Sequence, residues 1–321
     1  TRTGKMSPEV QRAVVEFVKD QYENRPFETL KVSWYGGEPL LAMDVIENLS
    51  LEFMRFAEKT GIEYWAVLIS NSYLATPEVA EKLVSWRVFT DLITIDGMRE
   101  VHDCHRCTRS GEPNFDVLMK NVQGMLRAGM AVEPHSVTDR GNLDSCLELA
   151  AVLHADGMTM KCGHLSDFGG GSCDSVTARF DLLSRPEYAR ACFDMLMAQN
   201  PTAKDFEAEF EPHHIGCGAP IDRYYEIDEL GNAYKCGSNI NPDAILFNIC
   251  EPPETRTINR KEIAKYCNYN PIEKGSNCRT CPCLPLCQGG CYNKRLHNTN
   301  TCHPMKFEGE AYLLGYYRAL R

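Results

Sequence analysis

The stretch CRTCPCLPLCQGGC, from Cys278 to Cys291, places cysteines at short, fixed intervals near the end of the chain. It is the densest part of an array that begins at Cys217 and Cys236 and ends at Cys302. Thiolates at such intervals, in a chain without a secretory signal, are typical of soft-metal ligands rather than of disulfides. The array supplies nearly enough ligands for two cubane iron–sulfur clusters, each of which takes about four cysteines. A single zinc site would also use about four and would leave the others unexplained.

The spacing resembles that of the SPASM domain, which follows the barrel in many radical S-adenosylmethionine (SAM) enzymes and carries auxiliary iron–sulfur clusters. The seven cysteines of that pattern are present in order. The resemblance implies that a first auxiliary cluster is bound by Cys217, Cys236 and Cys291. It implies that a second is bound by Cys278, Cys281, Cys287 and Cys302. A knot of zinc fingers or a disulfide-linked mini-domain is the alternative that spacing alone leaves open.

The first cluster lacks an obvious fourth ligand. Related enzymes often supply it between the first two cysteines, but residues 218–230 contain no cysteine here. We therefore expect three protein thiolates and an iron that is open or bound by a substrate thiolate, a carboxylate such as Asp222, or another cysteine. The cysteines considered for this position are Cys192, Cys250 and Cys267. Cys250, Cys267 and Cys283 lie outside the pattern, and free cysteines are usually small buried hydrophobic residues.

Composition narrows the class of protein. The chain has 321 residues, of which 43% are hydrophobic, so it can form one large or two ordinary domains with a real core. The net charge of -10 argues against a nucleic-acid partner, which would need a basic face. The sequence has neither an apolar run of membrane-spanning length nor a signal peptide at its start. Its 16 cysteines therefore favour a reducing cytoplasm and an oxygen-protected setting.

The first half of the chain alternates between apolar, β-branched runs and amphipathic helical runs. We predict strands over 30–35, 65–70, 92–95, 131–137 and 158–162. We predict helices that start at Ser7-Pro8 and Thr76-Pro77, and others over 44–59, 115–128 and 143–154. This alternation predicts a parallel sheet covered by helices. Periodicity alone does not separate an open doubly wound sheet from a barrel.

The resemblance implies the barrel. It predicts an α/β fold with a partial (β/α)6 TIM-like barrel over residues 1–185, a bridging segment over 186–216 and the SPASM domain over 217–321. A βα repeat should begin with a strand, whereas this chain begins with a helix, so we expect that the first strand is missing. That strand would carry the Cys-x-x-x-Cys-x-x-Cys motif whose cluster cleaves SAM; an inactive homologue is the alternative. Within the SPASM part, 224–227 and 232–235 predict a hairpin, and 310–320 predict a C-terminal helix.

Small and polar residues follow the predicted strands, where the active sites of parallel sheets lie. Gly36-Gly37-Glu38-Pro39 comes after the strand predicted over 30–35. Paired glycines allow a ligand to approach, and Glu38 can accept a hydrogen bond from an ammonium group. Ser70-Asn71 follows the next strand and can bind ribose hydroxyls, although ordinary turns are the alternative for both motifs. The resemblance implies that SAM is contacted by Gly36, Gly37, Glu38, Pro39, Ser70, Asn71, Thr94 and Asp96.

Further motifs follow the third strand. Thr94-x-Asp96-Gly97 is similar to a Ser-x-Asp-Gly pattern of SPASM maturases, and threonine keeps the hydroxyl group. His102-Asp103 and Arg106 extend that match, and we expect a structural salt bridge from Arg106. Cys104 and Cys107 form a C-x-x-C, which we expect in a polar loop rather than at a redox or metal site. The glycine-rich run 167–172 is either a border of the substrate opening or a solvent loop.

The resemblance implies a radical SAM maturase that modifies a ribosomally made precursor peptide through a 5′-deoxyadenosyl radical. Its expected cofactors are SAM, two auxiliary 4Fe-4S clusters and a SAM-binding 4Fe-4S cluster on the missing segment; its expected electron donor is ferredoxin or flavodoxin. Sulfatase maturases have Asp directly after the second patterned cysteine, where this chain has Gly237. This favours a thioether or carbon–carbon crosslink over formylglycine. A non-catalytic iron–sulfur electron carrier is the alternative from another class, and no catalytic residue is assigned.

Overall fold

The computed structural model describes residues 4–108, 110–164, 181–211, 217–273, 276–296 and 302–321. Its main element is a parallel five-stranded sheet in the order β1-β2-β3-β4-β5. The strands are β1 (Thr29–Trp34), β2 (Glu63–Ser70), β3 (Val88–Thr94), β4 (Ala131–Thr138) and β5 (Lys161–His164). Parallel strands that neighbour one another in chain order, with helices in the connections, are the pattern of a partial barrel. The predicted α/β fold is confirmed.

Helices cover this sheet and continue into the cysteine-rich part. They are α1 (Pro8–Asn24), α2 (Met43–Thr60), α3 (Pro77–Ser85), α4 (Arg99–His105), α5 (Phe115–Arg127), α6 (Leu143–Ala155), α7 (Arg185–Ala198), α8 (Ala203–Phe210), α9 (Arg260–Cys267), α10 (Leu284–Cys287), α11 (Tyr292–Leu296) and α12 (Met305–Ala319). Short 3-10 turns cover Pro39–Ala42 and Pro242–Ala244. The structure contains no described helix that is both long and apolar enough to span a membrane.

The predicted helix starts form as the sequence indicates. The Ser7 hydroxyl accepts a hydrogen bond from the Val10 backbone N–H at 3.3 Å, and the Thr76 hydroxyl accepts one from Val79 at 3.4 Å. Each hydroxyl satisfies a donor that the first turn leaves without a partner, and the following proline lacks an N–H. Helix α2 ends at Gly61, whose φ of +77° is accessible to glycine at little cost.

The two faces of the sheet differ in their surroundings. On β2, Tyr64, Ala66 and Leu68 are almost fully buried against the helices. Successive side chains of a strand point to opposite faces, so Trp65 and Ile69 lie on the other face. That face is the interior side of the partial barrel, and it retains partly exposed side chains.

The third strand begins at Val88, four residues before the predicted start, and the last strand of the sheet also differs from the prediction. We predicted it over 158–162, but β5 covers Lys161–His164. The Gln199 side chain explains the shift because its amide accepts from the Met160 N–H at 2.7 Å and donates to the Met160 carbonyl at 3.0 Å. The side chain directly after α7 thus satisfies a backbone segment that would otherwise need a strand partner.

The predictions for two motifs in the connecting regions have different outcomes. Cys104 lies in the last turn of α4 rather than in the predicted loop, and Cys107 follows that helix; both side chains are exposed. The Arg99–His105 helix forms because the Met98 carbonyl accepts from His102 and begins the hydrogen-bond ladder. The glycine-rich run 167–172 lies outside the described residues.

A small antiparallel sheet forms the start of the cysteine-rich part. Strands β6 (Glu226–Ile227) and β7 (Asn232–Tyr234) form the predicted hairpin, and β8 (Phe247–Asn248) adds a third strand that we did not predict. Gly231 occupies the turn with a φ of +83°. The Phe17 ring of α1 packs on this sheet, with its centroid 5.7 Å from that of Phe247. The small sheet therefore shares a hydrophobic core with the first helix instead of forming one alone.

Candidate active site and cysteine clusters

Three predicted motifs lie together at the carboxyl ends of neighbouring strands. Residues 36–39 follow β1, Ser70 ends β2 and Thr94 ends β3. Since the strands are parallel and adjacent in the order β1-β2-β3, their carboxyl ends meet at one edge of the sheet. This is the edge at which ligand sites of parallel sheets form.

Glu38 joins the first two motifs. Its Oε1 accepts a hydrogen bond from the Leu40 N–H at 3.0 Å, and its Oε2 accepts one from the Asn71 N–H at 2.9 Å. The carboxylate thus caps its own 3-10 turn and ties it to the loop after β2. An ionised carboxylate has about four lone-pair sites, so capacity remains for a cationic ligand.

The paired glycines leave room for a ligand. A Cβ atom added at Gly36 or at Gly37 would meet no other atom within 4 Å. Gly36 has a φ of +146°, a conformation that residues with a side chain rarely adopt. The backbone at this position is consequently open to a bound molecule.

The loop after β2 is held in a strained conformation. Ser72 has a φ of +53°, which is uncommon for a residue with a side chain. Its N–H donates to the Ser70 hydroxyl at 2.7 Å, and the Asn121 side chain donates to its carbonyl at 2.9 Å. Because Ser70 is occupied within the turn, Asn71, which is exposed, is the better placed of the two predicted residues for a ligand.

Asp91 supports this loop through a hydrogen bond, and the sequence analysis did not predict it as a site residue. It lies on the helix-facing side of β3, is completely buried, and accepts a hydrogen bond from the Ser72 hydroxyl at 2.5 Å through Oδ2. Its Oδ1 is buried and has no hydrogen-bond partner among the described residues. Burial, with a contribution from the Glu38 charge, raises the pKa of Asp91 to about 7. The sequence carried no specific signal for it, because Asp91 lies just before the strand predicted over 92–95.

Asp96, in the third motif, is held in the interior by hydrogen bonds. The Asp96 carboxylate is buried and accepts from the Val137 N–H at 2.7 Å and from the Arg106 guanidinium at 2.5 Å. The expected salt bridge of Arg106 is therefore present. This geometry favours a supporting role for Asp96, and its direct contact with SAM stays a prediction. Thr94, at the strand end, is half-buried.

His135 lies beside Thr94 and was also not predicted. The two residues are paired in the register of β3 and β4, and Lys161 pairs with His135 on its other side. The His135 Nε2 atom is buried and has no hydrogen-bond partner within the described ranges. Burial, followed by the Lys161 charge, lowers the pKa of His135, which favours a neutral imidazole. Alternation on β4 placed this histidine on the interior face of the barrel.

The structure brings together the three cysteines predicted for the first cluster. Burial raises the pKa of the Cys236 thiol, and the neighbouring Cys217 and Cys291 raise it further. Cys291 acts in the same way on Cys217. The three sulfurs therefore share one region, although their sequence positions are far apart. A soft metal centre suits this donor set.

The four cysteines predicted for the second cluster also lie together, near two cations. Arg295 donates to the Cys278 sulfur at 3.2 Å, and Lys306 donates to the Cys302 sulfur at 3.3 Å. The hydrogen bond and charge of Cys302, followed by the charges of Cys281 and Cys278, raise the pKa of Lys306. Cys287 and Cys278 both act on the nearby Tyr269 hydroxyl. Such cations stabilise thiolates, and hydrogen bonds to sulfur tune cluster potentials.

Among the side chains that the structure describes, no three His, Cys, Asp or Glu residues converge closely enough to hold a single metal ion.

Comparison with known proteins shows a shared fold. No family model and no curated protein matches the sequence. Native anSMEcpe, solved with bound AdoMet and a Kp18Cys peptide, matches with a TM-score of 0.68 at 16% identity, over 99% of this chain and 92% of that chain. Streptococcus suis SuiB, solved with S-adenosylmethionine, matches with a TM-score of 0.54 at 16% identity, over 92% of this chain and 68% of that chain. The likeness therefore extends through both the sheet and the cysteine-rich part.

Proposed function

We propose that this chain is a radical SAM enzyme that modifies a peptide. The observation that carries the proposal is the site in which Glu38 joins the Gly-Gly-Glu-Pro turn to Asn71 at the carboxyl edge of the sheet. The shared fold supports it, because anSMEcpe and SuiB were each solved with SAM. The two groups of cysteines that follow the sheet in the sequence support the iron–sulfur part of the proposal.

The residues of the site fit SAM. Glu38 would accept hydrogen bonds from its amino group, the open backbone of Gly36 and Gly37 would lie against it, and Asn71 would bind the ribose. Thr94 would bind the carboxylate with its hydroxyl. SAM, reduced by one electron from an iron–sulfur cluster, supplies a 5′-deoxyadenosyl radical that removes a hydrogen atom from the substrate. The protein orients the two molecules and limits side reactions.

The auxiliary clusters would occupy the two cysteine groups as proposed from the sequence. Cys217, Cys236 and Cys291 would hold the first, and Cys278, Cys281, Cys287 and Cys302 the second. A ferredoxin or flavodoxin in the cytoplasm would supply electrons. The cations at Arg295 and Lys306 fit this role because they offset the negative charge that four thiolates bring to one site.

A peptide is the proposed substrate, and anSMEcpe was solved with one. We favour a thioether or carbon–carbon crosslink in a ribosomally made peptide. The formylglycine alternative stays open, because the Glu226 carboxylate lies near Gly237, the position at which sulfatase maturases carry Asp. Mass spectrometry of the modified peptide separates the two: a crosslink removes a pair of hydrogens without a new carbonyl, whereas formylglycine reacts with hydrazide reagents.

Glu38→Ala should weaken SAM binding and leave the auxiliary clusters in place. The variant removes a charge-assisted hydrogen bond to the SAM ammonium, which contributes about 1.5–3 kcal/mol. The dissociation constant should therefore rise roughly 10- to 150-fold. Calorimetric titration of SAM into the anaerobically reconstituted protein measures this, with iron content determined on the same sample.

Glu63→Ala is the matched control, since Glu63 is an exposed glutamate at the opposite end of β2. It should leave SAM affinity unchanged. Glu38→Gln keeps one acceptor oxygen and should give an intermediate loss. Equal affinity in wild type and Glu38→Ala would mean that the turn is only structural. A protein that binds iron but neither binds nor cleaves SAM would instead be an electron carrier.

A further inference from the structure

A carboxylate reaches the first cysteine group from the hairpin. Glu226 on β6 pairs with Tyr234 on β7, two residues before Cys236. Its carboxyl carbon lies 3.5 Å from where a Cβ atom of Gly237 would be, and its two oxygens lie at 3.5 and 3.6 Å. Because Gly237 directly follows Cys236, the carboxylate lies beside that cysteine.

Tyr224 connects this carboxylate to Cys217, another cysteine of the same group. A Cβ atom on Gly218, which directly follows Cys217, would meet the Tyr224 ring at 2.1 Å. The ring therefore packs on the backbone next to Cys217, and its hydroxyl donates a hydrogen bond to Glu226 Oε1. The Tyr224–Glu226 pair thus lies between the two cysteines and orients the carboxylate.

The loop that carries Tyr224 is itself fixed. Lys235 is buried, and its ammonium group donates to the carbonyls of Ile221, Asp222 and Tyr224 at 2.6, 2.9 and 3.1 Å. Its neighbour in the chain is Cys236. The two residues that directly follow β7 therefore provide a cysteine of the group and the support of the loop that carries Tyr224.

The electrostatics agree with this geometry. The Glu226 charge acts on both Cys217 and Cys236, which places its carboxylate near the two thiols. A carboxylate and three thiols in one region repel one another when they are ionised. A positively charged metal centre would remove this repulsion and use all four groups as ligands.

Three of the four other groups considered for the fourth position lie elsewhere. The Asp222 carboxylate forms an ion pair with Arg25 at 2.9 Å. The Cys192 thiol interacts with Cys162 on β5, and Cys250 lies near Glu9. The fourth, Cys267 at the end of α9, acts on Lys235 but its side chain is exposed, unlike the half-buried cysteines of the group.

We propose that Glu226 is the fourth ligand of the first auxiliary cluster and binds the iron that Cys217, Cys236 and Cys291 leave without a thiolate. This inference rests on the cluster assignment of the proposed function. A carboxylate is a harder ligand than a thiolate, so a cysteine of the substrate can displace it. Glu226 would then hold the site closed until a thiol-containing peptide binds.

Mössbauer spectroscopy of the anaerobically reconstituted protein tests the assignment. The wild type should show an oxygen-ligated iron in about one eighth of the signal, as expected for one iron among two four-iron clusters. Glu226→Gln should change the quadrupole splitting of this component, because solvent replaces the carboxylate on that iron. Glu226→Cys should replace it with a thiolate-ligated signal and keep the wild-type iron content, which makes the test independent of any loss of iron in Glu226→Gln.

Two variants serve as controls. Asp222→Asn removes the nearby carboxylate that pairs with Arg25 and should leave the component unchanged. Tyr224→Phe should keep it as well, because the hydroxyl only orients the ligand. A cysteine-containing peptide should convert the component in wild type but not in Glu226→Cys.

The contrary outcomes are distinct. Two complete clusters without an oxygen-ligated iron in the wild type, or its persistence in Glu226→Cys, would overturn the assignment and leave the proposed function standing. A wild-type protein that takes up no iron and no sulfide would overturn both.

Discussion

Replacing Cys278 and Cys281 together with alanine should remove about half of the iron from the reconstituted protein. The 321-residue chain should hold about eight irons in two clusters, and the double variant should retain about four. These two sulfurs lie beside Lys306, which also interacts with Cys302, so their loss removes adjacent ligands of one centre. The remaining thiolates cannot hold a cubane cluster, while the other cysteine group stays intact. Iron and labile-sulfide analysis measure the change.

The Cys104→Ala/Cys107→Ala variant is the matched control. It has the same C-x-x-C spacing, but both side chains are exposed and lie far along the chain from the array. We expect it to keep about eight irons. Equal losses in the two double variants, or zinc without sulfide in the wild type, would contradict the assignment of the clusters.

Much of the fold could be predicted because its signals are local. Two helix starts, each with a capping hydroxyl group followed by a proline, depend only on neighbouring residues. Those at Ser7 and Thr76 both form as expected. Strand β2 is apolar on successive positions and ends at Ser70 as predicted, although it begins two residues earlier, at Glu63. The hairpin around Gly231 follows from turn chemistry in the same way.

The misplaced and missing features depend on contacts across long stretches of sequence. The last strand begins later than predicted because Gln199, directly after α7, forms hydrogen bonds with the Met160 backbone. Strand β8 has two residues and pairs only through β7, so it has no sequence pattern of its own.

The candidate site shows the same division. The turn at Gly36 and the loop at Asn71 were recognised as separate motifs, but the Glu38 hydrogen bond that joins them required the structure. Glu226 was read as part of a hairpin strand, because strand register alone does not show that its carboxylate lies beside Gly237. Asp91 was overlooked since one acidic residue within an apolar strand has no specific pattern.

The wild-type protein should lose stability relative to an Asp91→Asn variant as the pH rises from about 4 to about 7. Burial raises the pKa of Asp91 from 3.8 to about 7, against the opposing hydrogen bond from Ser72. The folded state therefore binds more protons than the unfolded state between these values, so its free energy of unfolding falls with increasing pH. About three pH units at about 1.4 kcal/mol each give roughly 4 kcal/mol over the whole range.

Denaturant unfolding at about pH 5.5 and about pH 8 measures the part of this change that is compatible with intact clusters. The difference in unfolding free energy between wild type and Asp91→Asn should shift by about 2 kcal/mol in favour of the variant at the higher pH. Asp243→Asn, on an exposed turn, controls for the loss of one carboxyl group and should follow the wild type. Parallel curves for wild type and Asp91→Asn would mean that the carboxylate is already ionised in the folded protein at pH 5.5. In that case a charge, rather than a neutral acid, would support the strained Ser72 loop beside the proposed SAM site.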